Sequence, residues 1–175
     1  MKIGNQWWMS ENLRVATNRS GEQIARRCYQ NDEANCEVYG GLYTWDIAMD
    51  GTNQEGAQGL CPDGWHIPTD AEWIVLFDYL GGVEVASGHL KTTGTEIWVE
   101  PNACATNISG FNALPAGGGF PDGGYEGLGF GVHMWSSTEN GDKAGMPTVH
   151  FEGADVWLLN ESKELAITVR CVMDP

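Results

Sequence analysis

Apolar positions recur at the spacing of one helical face between Thr69 and Gly81, where Trp73, Leu76, Phe77 and Leu80 follow one another. Thr69 is a natural N-cap with Glu72 three residues on, so the two can satisfy orphan amide donors reciprocally, and Gly81 stands where a left-handed cap belongs. Asp70 and Glu72 need no catalytic role, because acidic groups are favoured in a first turn by its exposed amides. A shorter helix is expected within Leu42–Met49, with Thr44 as its cap, Trp45, Ala48 and Met49 facing inward, and Gly51 as its stop.

Elsewhere the period shortens. The opening Ile3-Gly4-Asn5-Gln6-Trp7-Trp8-Met9 begins like a strand, and the last forty residues read as sheet: Met134–Glu139, Pro147–Phe151, Val156–Asn160 and Leu165–Val172 are strand candidates separated by turns. In the last of these, Leu165, Ile167, Val169 and Cys171 alternate with Ala166, Thr168, Arg170 and Val172, which predicts one face packed more deeply than the other. From Ser87 to Gly131 turns dominate, with glycines at 117–119 and then PDGGYEGLGFG, so long ordered loops are expected there. No internal repeat is evident.

Composition sharpens this picture. The chain has 175 residues, which fits a single domain over 1–175, and its 24 Gly and 8 Trp describe ordered loop held by large rings. The formal charge is -15, unevenly spread: residues 1–30 carry five basic and two acidic groups, and the rest carry four basic and 22 acidic ones. A polyanion needs a basic footprint, so nucleic acid is not an expected partner; divalent cations or neutral hydroxyl-rich ligands suit the surface better. No stretch approaches 18 apolar residues, so no membrane span is expected. The start, MKIGNQWWMSENL, lacks the apolar core and cleavage site of a signal peptide, so an exported protein would have its leader removed from this segment; the alternative is a cytosolic protein that starts at Met1.

The five cysteines, Cys28, Cys36, Cys61, Cys104 and Cys171, form no CxxC pair and no zinc-like spacing with histidine, which favours disulfides. Cys28 and Cys36 bracket a polar loop whose ends could meet, and a bridge from Cys61 to Cys171 would tie the C-terminal run to mid-chain. Cys104 is expected to be an unpaired thiol or to pair between molecules. Neither Cys104 nor its neighbours supply a base that would make it a nucleophile.

Several blocks together carry a resemblance: IGNQWWMSENLRV, CYQNDEANCEVYGGLYTWDIAM, CPDGWHIPTDAEW, SGFNALPAGG, MWSSTE and VRCV. The chain resembles the Fibrobacter succinogenes major paralogous domain family of surface and secreted proteins from Fibrobacter and Bacteroidetes-type bacteria. The resemblance implies an α+β, C-type-lectin-like fold, distantly similar to formylglycine-generating enzymes, with two helices, small antiparallel sheets and long ordered loops. It also implies Cys28–Cys36 and Cys61–Cys171 as the paired positions, and an extracellular or cell-surface location.

Two site candidates follow. Glu100-Pro101-Asn102 looks like the calcium and sugar triplet of mannose-type C-type lectins, making Glu100 and Asn102 candidate calcium ligands. The glycine-flanked loop carrying Asp122, Tyr125, Glu126 and Phe130 is a candidate ligand surface, since glycine admits close backbone approach and an aromatic face can stack on a sugar ring. His66, His89, His133 and His150 show no metal spacing, with His66 read as a hydrogen-bonding spacer in a rigid turn, and Trp65 and Trp135 are expected in the core. Asn18 and Asn107 formally match glycosylation acceptors, a match that a bacterial origin would make uninformative. No Ser/His/Asp order, phosphate loop, dinucleotide signature or reactive cysteine pair is present, so no enzyme activity and no cofactor beyond calcium are expected. The expected function is an extracellular module binding a glycan or a surface protein; the alternatives are a purely structural cell-envelope module and a divergent relative of formylglycine-generating enzymes.

Overall fold

The computed structural model describes residues 1–174. The chain opens with a small antiparallel hairpin, β1 (Lys2–Ile3) and β2 (Gln6–Trp7), turned at Gly4, whose φ of 60° suits glycine. A 3-10 turn (Tyr29–Asn31) and the start of helix α1 (Glu33–Tyr39) fill the loop closed by the Cys28–Cys36 disulfide, with Cys36 itself in α1, and Asp32 caps α1 by accepting from Ala34 N–H. Helix α2 (Trp45–Ala48) starts after Thr44 and presents Trp45, Ala48 and Met49 to the core. Strand β3 (Trp65–His66) precedes α3 (Asp70–Tyr79), where Thr69 and Glu72 form the reciprocal cap; Trp73, Leu76 and Phe77 are buried along one face. Gly81 follows with φ 101°, and α4 (Val83–Leu90) begins at once.

The remaining strands build one six-stranded sheet. They are β4 (Ala116–Gly119), β5 (Tyr125–Leu128), β6 (Gly131–His133), β7 (Glu139–Asn140), β8 (Lys143–His150) and β9 (Val156–Ser162). The order runs β5-β4-β6-β8-β7, with β9 on the opposite side of β8; only β4 and β6 run parallel. A last strand, β10 (Val172–Met173), pairs with β3.

The class is therefore mixed α+β, with four α-helices rather than the two the resemblance implied. Besides the helices expected within Leu42–Met49 and after Thr69, the chain forms α1, seven residues that carry Cys36, and α4, eight residues. Three expectations from local pattern are corrected. Leu165–Val172 is not one strand with a buried and an open face. Its residues from Ala166 onward are all buried, and they bridge Gly119, Tyr43, Met134 and Trp8 in turn, so no single neighbour offers a continuous ladder. Met134–Glu139 is mostly an irregular buried run between β6 and β7, its amides donating to Thr168, Gly145 and Pro68 carbonyls. The stretch from Ser87 to Gly131, expected as loop, is ordered loop over 91–115 but also holds the end of α4, strands β4 and β5 and the first residue of β6.

Two apolar clusters sit on either side of that threading segment. One centres on Trp8, Trp73, Trp98 and Phe111, with the Trp8 and Trp73 rings 4.6 Å apart; the other gathers Tyr43, Trp45 and Trp135 around the Cys61–Cys171 disulfide. Trp135 is fully buried, whereas Trp65 is half-buried at the rim of the second cluster. Arg170 crosses the interior with 1% exposure. Burial pulls its guanidinium down to about 9, yet it stays charged because Asn12 Oδ1 and the carbonyls of Met9 and Phe111 accept its donors. Cys104 is unpaired and exposed.

Candidate ligand-binding cleft

Side chains alternate across a sheet, so one face of β6, β8 and β9 collects His133, Met146, Thr148, His150, Trp157 and Glu161. On this face a cavity of about 470 Å³ opens between β4, β5 and the Leu165–Ile167 segment. Its floor is strand β4 and His133, and the missing side chain of Gly118, whose Cβ would stand 3.3 Å from Ile167 Cγ2 and 3.8 Å from His133 Cδ2, leaves it open. Phe120 and Leu165 stand at one end, and Glu126 and Glu161 supply carboxylates. A second cavity of about 180 Å³ adjoins it, sharing Gly127 and His133 and ending at Phe130, His150 and Trp157.

The aromatic groups at this far end are exposed but held. Trp157, 44% exposed, lies on the His150 ring at 4.0 Å between centroids and donates its indole N–H to Asp155 Oδ2 at 2.9 Å. Phe130, 49% exposed, meets Phe151 edge-on at 5.2 Å. Rings fixed this way lose little freedom when a ligand stacks on them. His133 Nδ1 lies 2.9 Å from Thr148 Oγ1, and burial pulls its imidazole down, which keeps it neutral near pH 7. Neither cavity is lined by lysine or arginine, while Glu126, Glu161 and Glu152 all contribute. An anionic ligand is disfavoured by that lining; a neutral ligand with many hydroxyls meets aromatic faces and carboxylate acceptors together.

The four loop residues singled out from sequence divide here. Glu126 lines the larger cavity and Phe130 the smaller. Tyr125 instead ties β5 to the first disulfide loop: its hydroxyl donates to Asn31 Oδ1 at 2.8 Å, its ring packs 5.3 Å from that of Tyr29, and the Arg27 guanidinium sits 4.7 Å above it. Asp122 closes its own turn by accepting from Gly124 N–H at 2.8 Å. Of the proposed calcium pair, Glu100 is exposed, while Asn102 is buried with its amide donating to the carbonyls of Thr92 and Gly94 at 2.9 and 2.8 Å. Among the described residues, the one set of three His, Cys, Asp or Glu ligand atoms close enough to share an ion is Cys28, Glu33 and Cys36, and its two sulfurs are already bonded to each other.

Trp157, His133 and Glu161 were not legible as site residues. The run Val156-Trp157-Leu158-Leu159 reads as interior strand, and only its position beside β8 reveals that three of these side chains are exposed.

The model of the Fibrobacter succinogenes major domain matches residues 1–173. No curated protein and no solved structure matches the chain.

Proposed function

The chain belongs to the Fibrobacter succinogenes major domain family, and from that premise we propose that it is an extracellular, C-type-lectin-like binding module whose sheet-face cleft takes a neutral, hydroxyl-rich ligand such as an oligosaccharide. The observation that carries this reading is the cleft itself: two adjoining cavities with aromatic rings at both ends, carboxylates along the walls and no basic side chain. Two disulfides fit an oxidising compartment, and no described helix is long and apolar enough to cross a membrane. Ordered loops on a braced scaffold would recognise shape, with affinity raised by repetition where modules are joined.

Screening neutral oligosaccharides against the protein and its Trp157→Ala variant tests the proposal. The expected result is micromolar to millimolar binding that falls by about tenfold in the variant, the equivalent of about 1.4 kcal/mol, with the melting temperature preserved. Binding that is equal in both, or confined to a surface away from Glu126, Phe130 and Trp157 in chemical-shift mapping, would overturn it.

A further inference from the structure

A further cavity, of about 370 Å³, shares no lining residue with the cleft. It opens where the N-terminal hairpin, the C-terminal ends of α3 and α4 and the turn at 108–109 meet, and the buried Ile3 and Leu80 form its apolar lining. Tyr79 and Ile108 line it as well, 65% and 77% exposed. Both are held there. The Tyr79 ring lies so close against the Gly4 turn that a Cβ on Gly4 would stand 2.9 Å from Tyr79 Cδ2. Ile108 sits in a turn pinned to the end of α4, where Ser109 Oγ donates to the His89 carbonyl at 2.7 Å and Thr106 N–H to the Gly88 carbonyl at 2.8 Å. Large apolar side chains presented beside a cavity by a fixed main chain mark a binding surface.

The polar groups of this cavity are basic and uncommitted. His89 Nδ1 donates to the Leu80 carbonyl at 2.9 Å, which fixes the ring and leaves Nε2 for another partner. Among the described residues, neither His89 Nε2 nor Lys2 Nζ has a hydrogen bond or an ion pair. No aspartate or glutamate lines the cavity, although the chain has 24 acidic residues against 9 basic ones. This lining is the reverse of the cleft's, where carboxylates contribute and lysine and arginine do not.

We propose that this cavity binds a carboxylate borne on an apolar body, whether a free aryl-alkyl acid or the C-terminal residue of a peptide. The Lys2 ammonium pairs with the carboxylate, and a protonated His89 donates a second charge-assisted bond from Nε2. The apolar body lies on Ile3 and Leu80 between the Tyr79 ring and Ile108, which accounts for both of those side chains being held out of the core. A bare inorganic anion would leave that apolar lining uncovered, and a cation would face Lys2.

Amide NMR titration of the full chain tests this with 4-phenylbutyrate and with acetyl-Leu-Phe carrying a free C-terminus, each beside its uncharged amide. At least one acid is expected to bind with a Kd of roughly 1 mM, to shift the amides of Ile3, Leu80 and His89, and to outbind its amide by about tenfold. Whichever acid binds more tightly identifies the source, a free acid or a chain end. Lys2→Gln should weaken binding about fivefold, as the loss of one exposed ion pair, and Ile108→Glu, which sets a like charge at the rim, should abolish it. Lys2 and Ile108 are both exposed, so the melting temperature should hold in each variant; should Ile108→Glu fail to fold, Lys2→Gln still decides. Binding by neither acid, amides that bind as well as the acids, shifts confined to other surfaces, or equal binding by Lys2→Gln overturns the proposal. Oligosaccharide binding at the cleft should be the same in both variants, so the two sites stand or fall separately.

Discussion

The imidazole of His66 joins the carboxylate of Glu72, Nε2 to Oε1 at 2.8 Å, so the residue that completes the α3 cap also anchors the strand before it. On its other side His66 Nδ1 meets Asp174 Oδ1 at 2.7 Å, which draws the C-terminal end of the chain into the same cluster. The Glu72 hydrogen bond raises the His66 imidazole above its ordinary value, burial opposes this, and Asp174 adds to the rise. For Glu72, burial pushes upward, but the bonds from His66 and Thr69 outweigh it and hold the carboxyl low.

The signs give a pH window. His66 has a raised pKa in the folded state, so its contribution is complete below about pH 6.5 and is lost as pH rises through the folded value. Glu72 has a lowered one, so its contribution is present above its unfolded value near 4.5 and is lost as pH falls through the folded value. Thermal stability should therefore peak in the mildly acidic range and decline towards alkaline pH. In His66→Gln the alkaline decline should flatten, measured as melting temperature against pH; an unchanged profile would remove His66 from the account.

The two disulfides should differ in weight. Cys61–Cys171 spans a sequence separation of 110 and Cys28–Cys36 one of 8. Chain entropy assigns about 5 kcal/mol to the longer closure and about 2.5 kcal/mol to the shorter. Cys61→Ser with Cys171→Ser should lower the melting temperature by on the order of 10 °C, roughly twice the loss from Cys28→Ser with Cys36→Ser. Calorimetry of the two double variants reads the order, and a larger loss from the short loop would contradict it.

Helix α3 was legible because its signals are local: a cap, a box and a 3.6-residue period lie within Thr69–Gly81. Helix α4 was not, because Gly88 lies in its middle, and only tertiary packing explains that residue: a Cβ there would stand 2.5 Å from the carbonyl oxygen of Cys104. Leu165–Val172 alternates like a strand, yet which segments it meets is decided by parts of the chain remote in sequence. The cleft was half legible for the same reason. Glycine-rich loop chemistry pointed to Glu126 and Phe130, while the contributions of His133 and Trp157 depend on strand register, which sets the face a side chain occupies.

Asn102 has a structural duty that is separable from any ion. Its amide nitrogen donates to both Thr92 and Gly94 carbonyls and so closes the loop from 92 to 102. Asn102→Ala should cost about 2 kcal/mol by leaving two acceptors without their donor. The same loss should be measured by denaturant unfolding in excess chelator and in millimolar calcium. A loss seen only with calcium would instead make Asn102 a ligand.

The cleft lining also predicts how binding responds to salt. Glu126 and Glu161 face the larger cavity without a lysine or arginine among its lining residues. Their attraction for a cationic ligand would be screened strongly as ionic strength rises, since the Debye length falls from about 10 Å at 0.1 M to about 3 Å at 1 M. Hydroxyls accepted by the same carboxylates, stacked against Phe130 or Trp157, lose little to screening. Affinity for a neutral oligosaccharide should thus change less than about twofold between 0.1 and 1 M salt. Glu126→Gln, which keeps one carbonyl acceptor, should weaken binding by about fivefold, or roughly 1 kcal/mol. Isothermal titration across the salt series decides: a steep fall in affinity would mean that the cleft selects positive charge, and the hydroxyl-rich ligand would have to be given up.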